Sequence, residues 1–277
     1  MKKIEFNPKI KIKKILDMRN FSILSNGDFK PNKILNLKIM YDGKEKRISD
    51  LFEVKIDSKF KNVKKTVFII NKTNHFFENV GYYWKENKLI VNGDVGSFLG
   101  AKMSGGIIEL NGNCENFLGA NMFDGEIKIN GNAMDYVGSA IFGETIGMSG
   151  GLIIIKGNAG DFLGSFMRRG LIFVECNVGF KCAKNLIAGT VIIKKNVETC
   201  FGNAMKRGTL ILKKNPKKIP DYFVDCGIQE FNFPTLFEKF LKNKKIKNSN
   251  NKIYRKYIGD RNNMGLGEIL VEELVKK

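Results

Sequence analysis

The chain has 277 residues and a formal net charge of +19, with 47 Lys and Arg against 28 Asp and Glu. This length allows one or two domains and a sizeable core. No apolar run reaches the roughly 18 residues of a membrane-spanning helix, which argues against an integral helical membrane protein. The basic start is not followed by an apolar segment, so we expect a cytoplasmic chain without membrane contact.

The positive charge lies mainly outside the middle of the chain. Residues 89–213 carry 12 Lys and Arg against 10 Asp and Glu, whereas residues 1–88 carry 21 against 10. The cations are scattered lysines, unlike the arginine-rich groove with interleaved aromatics that is typical of nucleic-acid binders. We interpret them as a solvated surface and expect no nucleic-acid partner. A basic patch that docks on an acidic protein is the alternative.

Residues 1–73 show no repeat and form the first predicted unit. Alternating isoleucines at positions 10 and 12, and the run Ile34–Ile39 before Asp42-Gly43, predict strands and a turn. A short helix is predicted after Ser49 as N-cap. We interpret this unit as a small β-rich or α+β cap over the open end of the structure that follows.

Residues 74–213 form the second unit, which repeats one pattern. Segments that begin at positions 93, 112, 131, 157, 176 and 195 share Asn or Asp as their second residue, and their glycines recur at fixed places. The spacing is 19 residues, except for one interval of 26 with a seven-residue insertion near Gly143–Ser149. A fixed period of this size indicates a solenoid. The stacked Asn and Asp side chains are predicted to bond one another as a ladder.

Positions within the period predict a parallel β-helix of six to seven coils with about 19 residues each. The residues fifteen and seventeen positions after each segment start are apolar, and alternate residues of a strand share one face. The glycines indicate corners that need positive φ. A nucleotide-binding loop is the alternative, but such a loop occurs once, before a helix, whereas this pattern recurs six times. The predicted corners are Gly93, Gly100, Gly112, Gly119, Gly131, Gly138, Gly157, Gly164 and Gly202.

The residue between these two inward strand residues points outward, and its type changes from one end of the predicted β-helix, which we call the rod, to the other. This position holds charged residues in the early coils and then four large apolar residues, Ile154, Phe173, Ile192 and Ile211. An exposed apolar stripe is typical of a contact surface. We predict a partner interface at these four residues, with coverage by the chain's own C-terminal segment as the alternative. The insertion near Gly143–Ser149 is a second candidate contact, with a neutral loop as its alternative.

Residues 214–277 form the third unit, a tail that is predicted to return along the rod or to cap its far end. Thr235-Leu236-Phe237-Glu238 fits a capping box at the start of a short helix. Chemistry-bearing side chains are sparse throughout the chain. The five cysteines include no Cys-x-x-Cys pair, and His75 is the sole histidine. We predict no catalytic residue, no cofactor site and no metal site on this chain.

The repeat at about residues 81–212 resembles the GXGXG domain. That domain is a right-handed β-helix in the large subunit of glutamate synthase and in the GXGXG-repeat subunit of formylmethanofuran dehydrogenase. The segment Tyr254–Arg261 followed by Gly267-Glu268-Ile269, and the N-terminal Leu51-Phe52-Glu53-Val54, are similar to this dehydrogenase subunit. The coil at 176–184 departs from the pattern because Cys176 and Ala183 replace its glycines.

The resemblance implies a specific role. Formylmethanofuran dehydrogenase is an archaeal complex of methanogenesis that reduces CO2 and attaches it to methanofuran as a formyl group. Its molybdenum or tungsten pterin, its iron–sulfur clusters and its amidohydrolase-type metal site are expected on other subunits. This chain is then expected to be a non-catalytic scaffold between the pterin-bearing and the amidohydrolase-like subunits.

Two other functions stay open. The chain can be a free-standing GXGXG subunit of a split archaeal glutamate synthase, with separate glutaminase and flavin-binding synthase chains as partners. It can also be an unrelated solenoid adaptor or nucleic-acid binder that uses its basic flanks.

Overall fold

The structure is a computed structural model that describes residues 2–26, 30–57, 66–244, 246 and 251–273. The strands are β1 Lys2–Pro8, β2 Leu16–Asp17, β3 Lys38–Tyr41, β4 Lys44–Arg47, β5 Phe52–Ile56, β6 Thr66–Thr73, β7 Phe77–Glu78, β8 Lys88–Gly93, β9 Ser104–Asn111, β10 Asp124–Ile129, β11 Ser149–Ile155, β12 Arg169–Val174, β13 Thr190–Ile193, β14 Thr209–Leu212, β15 Val224–Glu230, β16 Ile253–Gly259 and β17 Gly267–Glu272. The helices are a 3-10 helix at Arg19–Ser25, α1 Pro31–Leu35, α2 Ile48–Leu51 and α3 Phe233–Asn243.

A ladder of parallel strands forms the centre of the larger sheet, whose order is β15-β16-β17-β14-β13-β12-β11-β10-β9-β8-β6-β1-β5. Ile127 of β10 pairs with Ile108 one coil earlier and with Ile153 one coil later, so the seven-residue insertion leaves the register intact. A second line of bridges joins equivalent residues from Val95 to Val197. Each coil therefore contacts the next at two places, and the predicted mainly β chain with a large parallel sheet is confirmed.

The inner face of this ladder is the core. The residues at the two predicted inward positions, such as Ile108 and Leu110 in β9, are fully buried in one cluster that runs from Ile4 to Val271. Burial of one such side chain contributes about 1.5–3 kcal/mol. Outside the ladder, asparagine side chains bond from coil to coil. Asn132 Nδ2 donates to Asn113 Oδ1 at 3.2 Å, and the same contact recurs in later coils, so the predicted ladder is confirmed.

The N-terminal residues extend the parallel ladder instead of only covering its end. Phe68 of β6 pairs with Leu89 of β8, β1 adds a further parallel strand, and β5 forms the antiparallel edge. The pairing offset there is 21 residues, not 19, and Gly81 is the one glycine corner between β6 and β8, which explains why the sequence shows no clear repeat in this region. The smaller sheet, of order β4-β3-β2-β7, packs beside these strands through aromatic contacts such as Phe52 with Phe77.

The C-terminal residues return to the rod. β17 pairs in parallel with β14, and β16 and β15 follow as antiparallel strands. The predicted short helix is confirmed as α3, but it begins at Phe233, two residues before the predicted capping box. The Thr235 hydroxyl donates to the carbonyl of Asn232, and Asn232, not Thr235, is the N-cap residue. None of the described helices has the length and hydropathy that crossing a membrane requires.

Glycine is required at the repeat positions for two different reasons. Gly93, Gly100, Gly119, Gly138, Gly164 and Gly202 adopt positive φ, as predicted. For Gly112, Gly131 and Gly157 the predicted positive φ is wrong. A Cβ atom at these three positions would lie 2.2–2.5 Å from a carbonyl oxygen of the preceding coil, so their glycines reflect the close approach of two backbones.

Candidate partner interface

The predicted apolar stripe lies inside the molecule. Ile154, Phe173, Ile192 and Ile211 are 0–1% exposed and form a second core cluster under the C-terminal tail. The tail side chains in this cluster include Leu241 of α3, Tyr254 of β16 and Leu270 of β17. A strand that is buried on both faces needs continuous apolar residues, which explains the unbroken runs in β11 to β14. The predicted partner interface is therefore wrong at these residues, and the chain's own tail covers them.

The tail leaves an apolar groove beside the covered stripe. Leu236 and Phe240 of α3 remain 64% and 43% exposed and line one part of a groove of about 690 Å³. Its other lining residues include Ile107, Leu152 and corner glycines of four coils. Lys244 at the end of α3 pairs with the lining carboxylate of Glu126, which ties the helix to the rod. The groove is therefore a fixed feature of the docked tail.

A ladder of aromatic rings follows the outside of four successive coils. Phe98, Phe117, Tyr136 and Phe162 each lie five residues after a segment start. Neighbouring ring centroids are 4.9–5.0 Å apart, and their planes differ by 4–9°. This separation is close to the spacing of adjacent strands, about 4.8 Å, so one ring per coil stacks directly on the next. Phe98, Phe117 and Tyr136 belong to a small cluster separate from the main core.

The structure places the seven inserted residues at 141–147, slightly before the predicted range, because Met148 makes the contact that Met122 and Met167 make in their own coils. This insertion folds back over the aromatic ladder. The Phe142 ring meets Phe117 and Tyr136 edge-on, with centroid distances of 5.2 and 5.4 Å, yet Phe142 remains 74% exposed. Edge-to-face contacts of this kind contribute about 0.5–1.5 kcal/mol beyond the buried area. The insertion thus presents an aromatic side chain to solvent at a defined place on the rod.

Buried polar contacts fix the shape of the insertion. Asn121, which is buried, accepts a hydrogen bond from the Ile141 amide at 2.8 Å and donates to the Ile146 carbonyl at 2.6 Å. Asn121 also donates to the Glu144 carboxylate, which pairs with Lys102 at 2.8 Å. The hydrogen bond from Lys102 to Glu144 raises the pKa of Lys102, so this ammonium stays charged at neutral pH.

Positively charged side chains lie at both ends of the aromatic ladder. The Lys181 and Lys184 ammonium groups lie 5.4 and 5.7 Å from the centroid of Phe162. Toward the other end, the Arg19 guanidinium lies 5.6 Å from the ring of Tyr82, which packs against the same aromatic cluster. These are cation–π distances, and each contact contributes about 0.5–1 kcal/mol at an exposed site. The aromatic surface is therefore bordered by positive charge.

In the part of the chain that the structure describes, reactive side chains elsewhere are not assembled into a metal or nucleophile site. Cys114 and Cys182 are buried, and desolvation raises the pKa of both thiols far above its ordinary value, which disfavours the nucleophilic thiolate. The exposed His75 ring lies 4.1 Å from the ring of Phe76. Within the described ranges, no group of three or more His, Cys, Asp or Glu side chains could hold a metal ion.

The sequence interpretation missed the aromatic ladder, although its periodicity was present. The same fifth position holds Lys181 and Cys200 in the last two coils, which is why the ladder ends at Phe162. All six residues at this position adopt positive φ. An aromatic residue in this disfavoured conformation, repeated at a fixed interval, was the available signal.

Three comparisons place these features among known proteins. A sequence model described as the GXGXG motif matches residues 37–229. A chain in the crystal structure of the formyltransferase/hydrolase complex (FhcABCD) from Methylorubrum extorquens, in complex with methylofuran, is similar with a TM-score of 0.83. The two chains share 26% sequence identity, and the alignment covers 98% of this chain and 100% of that chain. No curated protein sequence matches the chain.

Proposed function

The chain belongs to the GXGXG motif family, and from this premise we propose that it is a non-catalytic scaffold subunit of a formylmethanofuran dehydrogenase-type complex. The observation that carries the proposal is the full-length structural similarity to a chain of a formyl-processing complex. That similarity includes the tail, for which a free-standing glutamate synthase subunit has no need. The proposed reaction is the reduction of CO2 and its attachment to methanofuran as a formyl group.

The proposed scaffold holds a pterin-bearing and an amidohydrolase-like subunit together. The molybdenum or tungsten pterin, the iron–sulfur clusters and the amidohydrolase-type metal site are assigned to those other subunits. A rod whose coils contact at two places supports this role, because it keeps its surfaces at fixed positions. The buried thiols of Cys114 and Cys182 also favour a structural subunit over a catalytic one.

We also propose that the coils close as a right-handed parallel β-helix. The two lines of coil-to-coil pairing support closed coils, and connections between parallel strands of one sheet are almost always right-handed. A crystal structure or a cryo-EM map at side-chain resolution tests the handedness. A left-handed trace of the coils would contradict it.

A second candidate function is a scaffold in a formyltransferase/hydrolase complex without a dehydrogenase reaction. The observation that favours it is the name of the similar complex, which states formyl transfer and hydrolysis. In that case the chain has the same contacts, but no pterin-bearing oxidoreductase subunit is active in the complex.

Purification of the complex through a tag on this chain tests both candidates. Molybdenum or tungsten together with iron–sulfur absorbance and CO2 reduction supports the dehydrogenase. Formyl release from a formylated furan carrier without these metals supports the second candidate. Flavin in the complex would favour glutamate synthase, and salt-sensitive retention on DNA would favour a nucleic-acid binder. If the purified chain alone catalysed either formyl reaction, the scaffold proposal would be wrong.

A further inference from the structure

We propose that the aromatic ladder and the insertion form one docking surface for a catalytic subunit of the complex, with Phe142 as its anchor. The aromatic docking surface consists of Phe98, Phe117, Tyr136, Phe142 and Phe162. This inference rests on the proposed function and adds the face of the rod at which a partner sits. The partner presents an apolar pocket for the Phe142 ring, and Asp and Glu side chains border that pocket.

The first argument is the combination of exposure and rigidity at Phe142. Among the described residues this ring is the most exposed of the large apolar side chains at 74%, yet Asn121 and Glu144 hold the segment that carries it. A side chain that is already ordered loses little conformational entropy when a partner binds. Large aromatic residues in that situation dominate the binding energy of protein interfaces. A neutral surface loop has no comparable reason to hold an exposed phenylalanine on two other rings.

The second argument concerns what the stacked rings can bind. Phe117 and Tyr136 have both ring faces covered by neighbours in the ladder, so only their edges are available. A nucleic-acid base needs a free ring face to stack on, and Phe117 and Tyr136 do not offer one. Ring edges carry the positive part of the aromatic quadrupole. Ring edges therefore bind apolar groups, carboxylates and the faces of aromatic rings of a partner.

The third argument is the sign of the surrounding charge. Lys181 and Lys184 lie at one end of the surface and Arg19 lies at the other. Complementary charge accelerates association and selects among partners more than it raises affinity. The border of the partner surface is therefore acidic, and its binding rate should fall with added salt.

The test measures binding of the full-length chain to the remaining subunits, expressed and purified together without it. Phe142→Ala is expected to weaken binding and so to raise the dissociation constant about 30-fold. Phe123→Ala is the matched control, because Phe123 is 57% exposed but lies outside the aromatic docking surface. It is expected to change the constant by less than about 3-fold. Thermal unfolding of both isolated variants should remain cooperative and show that the chain folds.

A second variant tests the charge independently of the insertion. The double substitution Lys181→Glu and Lys184→Glu is expected to lower the association rate about 10-fold at low salt and to flatten its salt dependence. An association rate and salt dependence equal to those of the wild type would overturn the acidic partner border.

The outcomes separate this inference from the proposed function. If the wild-type chain does not bind the other subunits, the proposed scaffold role fails. If the wild type binds and Phe142→Ala binds equally tightly, the docking surface is wrong and the scaffold role stands. If the isolated wild type sediments as a dimer that Phe142→Ala dissociates, the surface joins two copies of this chain, which also overturns the proposal.

Discussion

At one position of the coil, glycine is required both by a positive φ and by the close approach of the preceding coil's backbone. All six coils have glycine at one equivalent position, with φ between +74° and +103°. It lies thirteen residues after the segment start in five coils and twenty residues after it, at Gly151, in the coil with the insertion. A Cβ on Gly106 would lie 2.7 Å from the carbonyl oxygens of Glu86 and Asn87. The seventh position is less restricted, because Ala183 occupies it with φ +58° and a Cβ on Gly164 meets only a Val191 methyl at 3.3 Å.

The first prediction compares alanine at these two glycine positions. Gly164→Ala should lower the free energy of unfolding by about 1–2 kcal/mol, the cost of the left-handed region for an L-residue. Gly106→Ala should cost about 3 kcal/mol or more, since the backbone of the preceding coil must also move. Urea unfolding of both variants measures the difference. Equal costs would show that the coil spacing adapts freely.

A charged pair lies on the outward face of the strand ladder, where Glu109 occupies the outward position and Lys88 lies two residues before the equivalent Ile90. The Lys88 ammonium lies 2.6 Å from the Glu109 carboxylate, and its hydrogen bond lowers the pKa of Glu109. A carboxyl with a folded-state pKa below its unfolded value stabilises the fold above the unfolded pKa, about 4.3, and loses this contribution as pH falls through the folded pKa.

The second prediction is that Lys88→Met loses less stability than the wild type when the pH is lowered from 7 to 3. The expected difference is below about 1 kcal/mol, because the pair is partly exposed and screened by salt. Chemical unfolding curves at the two pH values provide the measurement. Parallel acid destabilisation of the two proteins would mean that this pair contributes nothing.

At the scale of elements, the tail completes the outer face of the later coils. α3, β16 and β17 place apolar side chains over Phe173 and its equivalents, so the outer face of β11 to β14 is a second core. The charged outer residues of β9 and β10, Glu109 and Lys128, lie in coils outside that cluster. The change of residue character along the rod therefore marks the extent of the tail.

The third prediction follows from this second core. Phe173→Ala should lower the free energy of unfolding by about 3–5 kcal/mol, the usual cost of removing a buried aromatic ring. Lys128→Ala at the equivalent position of an uncovered coil should change it by about 0.5 kcal/mol or less. Denaturant unfolding of the two isolated variants measures both changes in the free energy of unfolding. A stable Phe173→Ala chain that fails to bind other subunits would restore the partner-interface interpretation.

The sequence predicts those parts of the fold in which one residue type recurs for one physical reason. Ile108 and Leu110 recur as inward strand residues, so the parallel ladder was predictable. β6 was not, because its offset of 21 residues differs from the 19-residue period and Gly81 is the one glycine corner between β6 and β8. The apolar outer stripe was visible, but the segment that covers it lies far along the chain and shares no pattern with it. The Phe142 contact depends on the fold of an insertion that occurs once.

At the scale of the whole molecule, the rod has to end without exposing strands that can pair. The larger sheet, as far as the structure describes it, has β5 and β15 as its edge strands. β15 is exposed along most of its length, and its apolar residues Val224 and Ile228 face solvent. Its pairing with β16 is interrupted between Asp225 and Ile228, where Gly227 takes positive φ. Such a bulge twists an edge strand and makes it a poor template for another chain.

The fourth prediction is that a regular β15 makes the chain self-associate. Deletion of Gly227, together with Asp225→Thr and Cys226→Thr, removes the extra residue and the ion pair between Asp225 and Arg255. The resulting strand is regular, has Glu230 as its one charged residue and is rich in β-branched residues, which favours edge-to-edge pairing. Sedimentation velocity between about 5 and 100 μM should then show concentration-dependent association beyond that of the wild type, since pairing is a bimolecular step. Unchanged sedimentation of a folded variant would mean that neighbouring side chains, and not the bulge, protect this end of the rod.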